Sequence, residues 1–204
     1  MKTIAIAAQK GGAGKTTLAV HLAVEAFKAG ERAFIVDTDP QGSAAAWART
    51  RNQGDPAVIA IPIDRLDDVL AAGRYDAMTL CIVDTPPHAT AGAATVARSA
   101  DLVVIPVRPS AFDLAAAEAS IAIARQSRQV VVMLSSCPTR APEIAESRVV
   151  LQRYGIPVLD AELTERRAFA RAVASGRAVS EFEPAGRAAA EISAVWNELK
   201  GRLA

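Results

Sequence analysis

A glycine-rich loop near the N-terminus constrains this chain more than any other feature. The loop, QKGGAGKTT, spans residues 9–17 and directly follows an apolar run, TIAIAA. A strand, a glycine-rich turn and a helix in that order are typical of the phosphate-binding pattern G-x-x-x-x-G-K-S/T. Gly14, Lys15 and Thr16 match the end of the pattern, whereas Gln9 stands where its first glycine belongs. A second lysine, Lys10, has no counterpart in the general pattern.

Short β-branched runs alternate with alanine-rich helical stretches along the whole chain. The runs are apolar on successive residues, as expected for strands that are covered on both faces. The predicted strands are KTIAIAA, RAFIVD, AVIAI, TLCIVD, LVVIPV and QVVVML. The predicted helices are Lys15–Lys28, Gly42–Arg51, Ala89–Ala97, Asp113–Arg125, Pro142–Tyr154 and Ala185–Leu203. This alternation predicts an α/β fold with a doubly wound, mainly parallel sheet.

Length and composition predict one globular domain over residues 1–204. No apolar run approaches the roughly 20 residues that cross a bilayer, and no signal peptide precedes the loop. Two cysteines do not make a disulfide framework, so we expect a cytoplasmic protein. Because the loop begins close to Met1, we expect no DNA-reading domain before it.

The loop residues suit the triphosphate of a nucleotide. Gly11, Gly12 and Gly14 allow the backbone to curl so that successive N–H groups point at phosphate oxygens. The helix that follows adds the positive end of its dipole. We expect Lys15 to contact the β- and γ-phosphates and the Thr16 hydroxyl to bind Mg²⁺. The simpler alternative is a tight turn that binds no ligand, but such a turn requires neither Lys15 nor Thr16.

Three aspartates follow predicted strands. Asp37 and Asp39 lie in VDTDPQGS, and Asp84 ends LCIVD. The carboxyl ends of parallel strands meet at one edge of a sheet, where a Mg-nucleotide would lie. Each aspartate alone is equally well explained as a helix cap. Three at one edge favour a role in nucleotide chemistry.

Four motifs in this order resemble the deviant Walker-A ATPases, and most closely the short, ParF-like partition ATPases of the ParA/MinD superfamily. They are the segment from Lys10 to Thr16, VDTDPQGS, IVDTPP and IPVRPSAFDL. The resemblance covers nearly the whole chain.

The resemblance implies a role for the second lysine. In this family such a lysine, here Lys10, reaches across a two-fold dimer to the phosphates of the partner's ATP, so nucleotide joins the subunits. On this view the Lys10 charge has little to neutralise in the free monomer. The plainer alternative is an exposed loop lysine.

The resemblance also assigns roles to the remaining site residues. Asp39 would position or deprotonate the attacking water, which makes the catalytic set Lys10, Lys15 and Asp39. Asp84 would be the Walker-B carboxylate, and Asp37 would help to organise Mg²⁺, which makes the metal set Thr16, Asp37 and Asp84. The residues expected to bind ATP are Lys10, Gly11, Gly12, Ala13, Gly14, Lys15, Thr16, Thr17, Pro106, Arg108 and Pro109.

The identity of the base is inferred only indirectly. The two asparagines, Asn52 and Asn197, do not lie in the N-K-x-D context of a GTPase. Many relatives place an asparagine after the strand that corresponds to VVVML, whereas this chain has Ser135 and Ser136 there. We therefore expect adenine without the usual asparagine contact.

Basic residues in the C-terminal third are the candidates for DNA binding, although the net charge is only +1. The resemblance implies non-specific contacts with DNA phosphates in the ATP-bound dimer, a nucleoid-associated state. The candidates are Arg166, Arg167, Arg171 and Arg177. A solvated helix face that pairs with Glu162 and Glu165 is the alternative.

Other residues are interpreted as structural. We expect Cys81 to be a small core residue rather than, with Cys137, a ligand of an iron–sulfur cluster. His88 is expected in a surface loop and His21 in packing or at a dimer face. The apolar stripe of the last helix is expected to pack on the core rather than on a membrane. That stripe consists of Ile192, Val195, Trp196, Leu199 and Leu203.

Together these features predict a Mg²⁺-dependent ATPase with a slow intrinsic rate. It would dimerise around ATP, bind non-specific DNA without membrane contact, and respond to a ParB- or ParG-like activating partner protein. Two alternatives remain open: a MinD-like positioning ATPase on membranes, and a metabolic enzyme such as a dethiobiotin-synthetase-like ligase.

Overall fold

Six parallel strands form one sheet in the described part of the chain. This computed structural model describes residues 1–87 and 90–203, without the side chains of residues 90 and 91. The strand order is β3-β2-β4-β1-β5-β6. The strands are β1 (Lys2–Ile6), β2 (Ala33–Asp37), β3 (Ala57–Ala60), β4 (Leu80–Asp84), β5 (Leu102–Val107) and β6 (Val130–Leu134). Each strand overlaps one of the six predicted from its apolar run, and the predicted α/β class is confirmed.

Helices connect the strands and cover both faces of the sheet. Within the described residues they are α1 (Lys15–Lys28), α2 (Ser43–Arg51), α3 (Leu66–Tyr75), α4 (Thr90–Ser99), α5 (Ala111–Ala124), α6 (Glu143–Gln152), α7 (Arg167–Ala174), α8 (Val179–Phe182) and α9 (Arg187–Leu203). Helices α3 and α8 were not predicted from the sequence, and α7 was expected only as a helix face that carries candidate DNA-binding arginines. Helix α3 follows a 3₁₀ turn and contains Gly73 against the Phe34 ring, which weakens its helical signal.

Two apolar cores sandwich the sheet. One joins α1, α2, α7, α8 and α9 to one face, and the other joins α3, α4, α5 and α6 to the opposite face. The stripe of α9 is buried in the first core, as predicted. Cys81 is buried in the second core, which confirms its interpretation as a core residue. Since the central strands are buried on both faces, they need apolar residues at successive positions.

His21 is a packing residue within the chain. Its ring is fully buried, and Nδ1 lies 2.7 Å from the Thr17 carbonyl oxygen. The ring also meets Phe169 of α7 edge to face, with 5.2 Å between centroids. His88 lies outside the described residues. No helix within the described ranges has the length and apolarity to cross a bilayer.

Helix α2 is held by contacts with α8 and with the segment between α7 and α8. Both Arg51 terminal nitrogens donate to the carboxylate of Glu181 at 2.7 Å, and the side chain of Arg51 is 3% exposed. The backbone of Gly176 approaches so closely that a Cβ there would lie 2.5 Å from the Arg51 Cα atom. Because α2 begins just after Asp39, this packing holds the loop that carries Asp37 and Asp39.

Candidate nucleotide-binding site

The loop between β1 and α1 has the backbone geometry of an anion-binding turn. Gly12 and Gly14 have φ of +75° and +87°, a left-handed conformation in which a side chain is strained. Gly14 is also the N-cap of α1, and its carbonyl accepts the Leu18 N–H at 2.8 Å. The first N–H groups of α1 therefore remain available to an anion, with the helix dipole behind them.

Lys15 and Thr16 lie at the start of α1, where the motif predicts them. The Thr16 hydroxyl donates to Oδ2 of Asp84 at 2.6 Å, which joins the loop to the end of β4. Lys15 is buried, and this desolvation lowers its pKa, against the opposing effect of Asp84 and Asp39. A buried cation that is partly desolvated gains most from a bound anion.

The surroundings of the Asp84 carboxylate are those of a cation-binding residue. It is fully buried, and its Oδ1 atom has no hydrogen-bond partner among the described residues. Burial raises the pKa of Asp84 to about 7, although the hydrogen bond from Thr16 lowers it and nearby Asp37 raises it further. An unpartnered carboxylate oxygen beside a threonine hydroxyl suits Mg²⁺, which accepts oxygen ligands and keeps several waters. Thr16 and Asp84 thus fit the expected metal.

Asp37 and Asp39 differ in what their carboxylates bind. The two oxygens of Asp37 accept the N–H groups of Asp39 and Ala45, at 3.1 and 3.0 Å, so this buried side chain orders the loop into α2. The described residues contain no group of three acidic, histidine or cysteine side chains poised to hold a metal. A direct contact of Asp37 with Mg²⁺ therefore stays a prediction. Asp39 is half-buried, and its Oδ1 accepts the Gln41 N–H at 2.9 Å.

A cavity of about 460 Å³ joins these residues to a second wall. The first wall comes from the glycine loop, the start of α1 and Asp39. The second comes from the segment after β6 and from the segment that leads into α7. It comprises Ser135, Ser136, Leu163, Thr164, Glu165, Arg166, Phe169 and Ala170. The two serines were expected near the base, whereas sequence reasoning missed the contribution to this wall of Leu163, Thr164, Glu165, Phe169 and Ala170.

The predicted base-side residues of the PVRPSAFD segment separate in the structure. Arg108 lines the cavity, and its guanidinium approaches Gly12. Pro106 instead lines a separate small hollow with Lys10 and Asp113. Pro109 is not among the described residues that line either space, so contacts of the two prolines with ATP stay predictions.

Lys10 has an ion-pair partner within its own chain. Its Nζ atom lies 2.6 Å from Oδ2 of Asp113 at the start of α5, and it does not line the nucleotide cavity. The expectation that this charge has little to neutralise in the monomer was wrong. The reason is that α5 begins beside the loop and presents a buried carboxylate, which no local pattern reveals.

The four candidate DNA-binding arginines fall into two groups. Arg167, Arg171 and Arg177 are exposed, and the Arg171 guanidinium lies over the Phe182 ring. Arg166 is half-buried, lines the nucleotide cavity and is paired with Glu191 of α9 at 2.6 Å. The expected alternative partners of these arginines, Glu162 and Glu165, are not the residues that bind Arg166.

Comparison with family models identifies the protein family that shares this arrangement of loop, strand ends and cavity. The model of the CobQ/CobB/MinD/ParA nucleotide-binding domain matches residues 4–179. The chain belongs to this family. The resemblance that the motifs indicated is therefore confirmed at the level of the ParA/MinD superfamily.

Two curated members of the CobQ/CobB/MinD/ParA family show how closely the chain is related. A maintenance of carboxysome distribution protein A from Gloeobacter kilaueensis is 33% identical over 208 residues, which are 99% of this chain and 94% of the relative. A ParA protein from Rhizobium radiobacter is 29% identical over 83% of this chain and 81% of its own length. Among solved structures, an ATP complex of a McdA variant from Cyanothece covers 100% of this chain and 96% of its own, with a TM-score of 0.76 and 16% identity. That similarity establishes the shared fold.

Proposed function

We propose that this chain is a Mg²⁺-dependent, ParA-type positioning ATPase that dimerises around ATP, binds non-specific DNA in that state and is stimulated by a partner protein. The observation that carries the proposal is the convergence of Lys15, Thr16 and Asp39 on one cavity, with buried Asp84 hydrogen-bonded to Thr16 and Lys10 outside the cavity. Relatives named for carboxysome distribution and for ParA support a positioning role.

The proposed chemistry follows from the residues at the cavity. Lys15 and the loop N–H groups hold the phosphates, and the Thr16–Asp84 pair holds the cation. A Mg²⁺ ion held by these two residues would supply positive charge against the phosphates. Asp39 reaches the cavity from a loop that Asp37 orders, so its carboxylate can orient an attacking water. The resemblance assigns no arginine of this sequence to the γ-phosphate, so slow turnover is expected until a partner binds.

The proposed dimer explains the second lysine. A lysine that is 41% exposed at the edge of the site can leave Asp113 and reach the triphosphate of a facing subunit. In the dimer, the exposed arginines at Arg167, Arg171 and Arg177 would be doubled by symmetry, and this would strengthen a weak phosphate contact. A membrane role has less support, because the apolar face of α9 is used in the core.

The proposal is tested by DNA binding and sedimentation with Mg-ATP, Mg-ADP or no nucleotide. We expect dimers and salt-sensitive DNA binding only with ATP. Replacing Arg167, Arg171 and Arg177 by alanine should reduce the slope of log affinity against log salt by about 0.9 for each DNA phosphate that is no longer neutralised. Arg65→Ala, at an exposed arginine paired with Asp68, is the matched control. A monomer at saturating Mg-ATP with full turnover, or ATP-dependent binding to anionic vesicles but not to DNA, would contradict it.

A further inference from the structure

A network of hydrogen bonds holds the segment before α7 against α9. Oε1 of Glu191 accepts from the Arg166 Nε and Nη2 atoms, at 2.9 and 2.6 Å, and from the Thr164 hydroxyl at 2.9 Å. Oε2 of Glu191 accepts the Thr164 N–H at 3.1 Å. One carboxylate thus fixes both the backbone at residue 164 and the plane of the guanidinium at residue 166.

The same segment forms part of the nucleotide cavity. Thr164, Arg166 and Phe169 line it together with the glycine loop. Lys15 and Thr16 determine where the phosphates lie, so the remaining wall faces the nucleoside part of the ligand. Arg166 lines the cavity, and its side chain is 25% exposed.

The pairing with Glu191 makes Arg166 poorly suited to holding DNA. Its charge is compensated at 2.6 Å, and the hydrogen bonds that it donates to Glu191 raise its pKa further. A fixed, planar guanidinium is instead well suited to stacking on an aromatic heterocycle, because little side-chain freedom remains to be lost on binding.

We propose that Arg166, positioned by Glu191, contacts the nucleobase of bound ATP and sets the preference for a nucleoside triphosphate over inorganic triphosphate. This inference rests on the proposed function, since it places ATP in the cavity. It assigns Arg166 to the nucleotide and leaves Arg167, Arg171 and Arg177 as the candidates for DNA.

Calorimetric titration with Mg-ATP and with Mg-triphosphate tests the assignment. Arg166→Ala should weaken ATP binding roughly five- to thirty-fold, the equivalent of about 1–2 kcal/mol of stacking, and change triphosphate binding less than about two-fold. Arg166→Lys keeps the charge without the planar group and should lose as much ATP affinity as alanine. Glu191→Gln should lose part of it. Arg65→Ala, at an exposed arginine outside the cavity, is the control and should bind both ligands as the wild type does.

Several outcomes would overturn the assignment. The assignment is wrong if Arg166→Ala leaves the ratio of ATP affinity to triphosphate affinity unchanged. It is also wrong if, with that ratio unchanged, the substitution reduces the salt dependence of DNA binding at saturating ATP. Equal loss for both ligands would indicate a structural role, and melting temperatures with and without ligand would identify unfolding. If the wild type binds neither ligand, the proposed function itself fails, which is a distinguishable result.

Discussion

The Nζ atom of Lys10 lies 2.6 Å from Oδ2 of Asp113, a buried carboxylate in the first turn of α5. The Ser110 hydroxyl also donates to this carboxylate. Lys10 must leave this partner before it can neutralise a phosphate on a facing subunit. Because Lys10 is 41% exposed, water screens the pair, and we expect it to contribute no more than about 1 kcal/mol. The ion pair is therefore a weak restraint on dimerisation.

Asp113→Asn should make ATP-driven dimerisation easier. The substitution keeps the shape of the side chain and the capping contact, but removes the charge that holds Lys10. We expect the ATP concentration at half-maximal dimerisation to fall up to about five-fold, as measured by sedimentation at fixed protein concentration. An unchanged or higher midpoint would show that the pair does not restrain Lys10.

Lys10→Ala and Lys15→Ala should separate dimerisation from binding. Lys10 lies outside the cavity of its own chain, whereas Lys15 lines it. We therefore expect Lys10→Ala to fold and bind ATP but to stay monomeric, and Lys15→Ala to lose ATP affinity by at least about ten-fold. Calorimetry together with sedimentation distinguishes the two. ATP-dependent dimers of Lys10→Ala would refute the role given to this lysine.

Asp39→Ala should trap the ATP-bound dimer. This carboxylate lies on the cavity wall and accepts a hydrogen bond from Gln41 rather than from Lys15 or Thr16. Phosphate release should fall by roughly 10²- to 10⁴-fold, since the group that orients the attacking water is removed, while dimers persist with ATP. Asp64→Ala, at an exposed aspartate outside the cavity, should leave both measurements unchanged. Turnover near the wild-type rate would exclude Asp39 as that group.

Gly176→Ala should destabilise the fold far more than Gly155→Ala. Both glycines have positive φ, +68° and +65°, so each substitution incurs about 1–2 kcal/mol of backbone strain. At Gly176 the new Cβ would also lie 2.5 Å from the Arg51 Cα atom, whereas no described atom lies within 4 Å of it at Gly155. We expect a total loss above about 3 kcal/mol at Gly176, measured by urea unfolding. Equal losses would contradict the close packing of α2.

Stability should fall as the pH drops from about 6.5 to about 4 because of His21. Burial lowers the His21 pKa to about 4, while hydrogen bonding to Thr17 raises it slightly. In this range the unfolded chain binds a proton that the folded protein does not, so the free energy of unfolding decreases with falling pH, by up to roughly 3 kcal/mol. In urea unfolding at several pH values, His21→Leu should show a smaller decrease in the free energy of unfolding between pH 6.5 and pH 4.

Cys81→Ala is the control for the pH experiment. Cys81 is equally buried, and burial raises its thiol pKa above the neutral range, so it does not titrate between pH 4 and 7. Its replacement should lower stability by a similar amount at each pH and leave the slope as it is in the wild type. If His21→Leu retains the wild-type slope as well, other groups cause the acid sensitivity.

Much of the fold could be predicted from local patterns. Five of the six strands are buried on both faces, which requires apolar residues at successive positions and makes them visible in the sequence, whereas the apolar edge strand β3 is largely exposed. Helix α3 was not predicted, because its buried face consists of only Leu66, Leu70 and Gly73. Thr16 and Asp84 are 68 positions apart. The sequence predicted that both lie at the same edge of the sheet, because the carboxyl ends of parallel strands share one edge.

By itself the sequence determined the glycine loop, the residues that follow it and the strand-end aspartates, because each lies in a short segment whose backbone geometry depends on its own residues. The tertiary structure alone decided the partner of Lys10, 103 positions away, and the side of the cavity on which Arg166 lies. Such contacts join segments whose relative position is determined by how whole helices pack on the sheet. Periodicity reveals which face of a helix is buried, but it does not reveal which charged side chain of another segment will lie opposite.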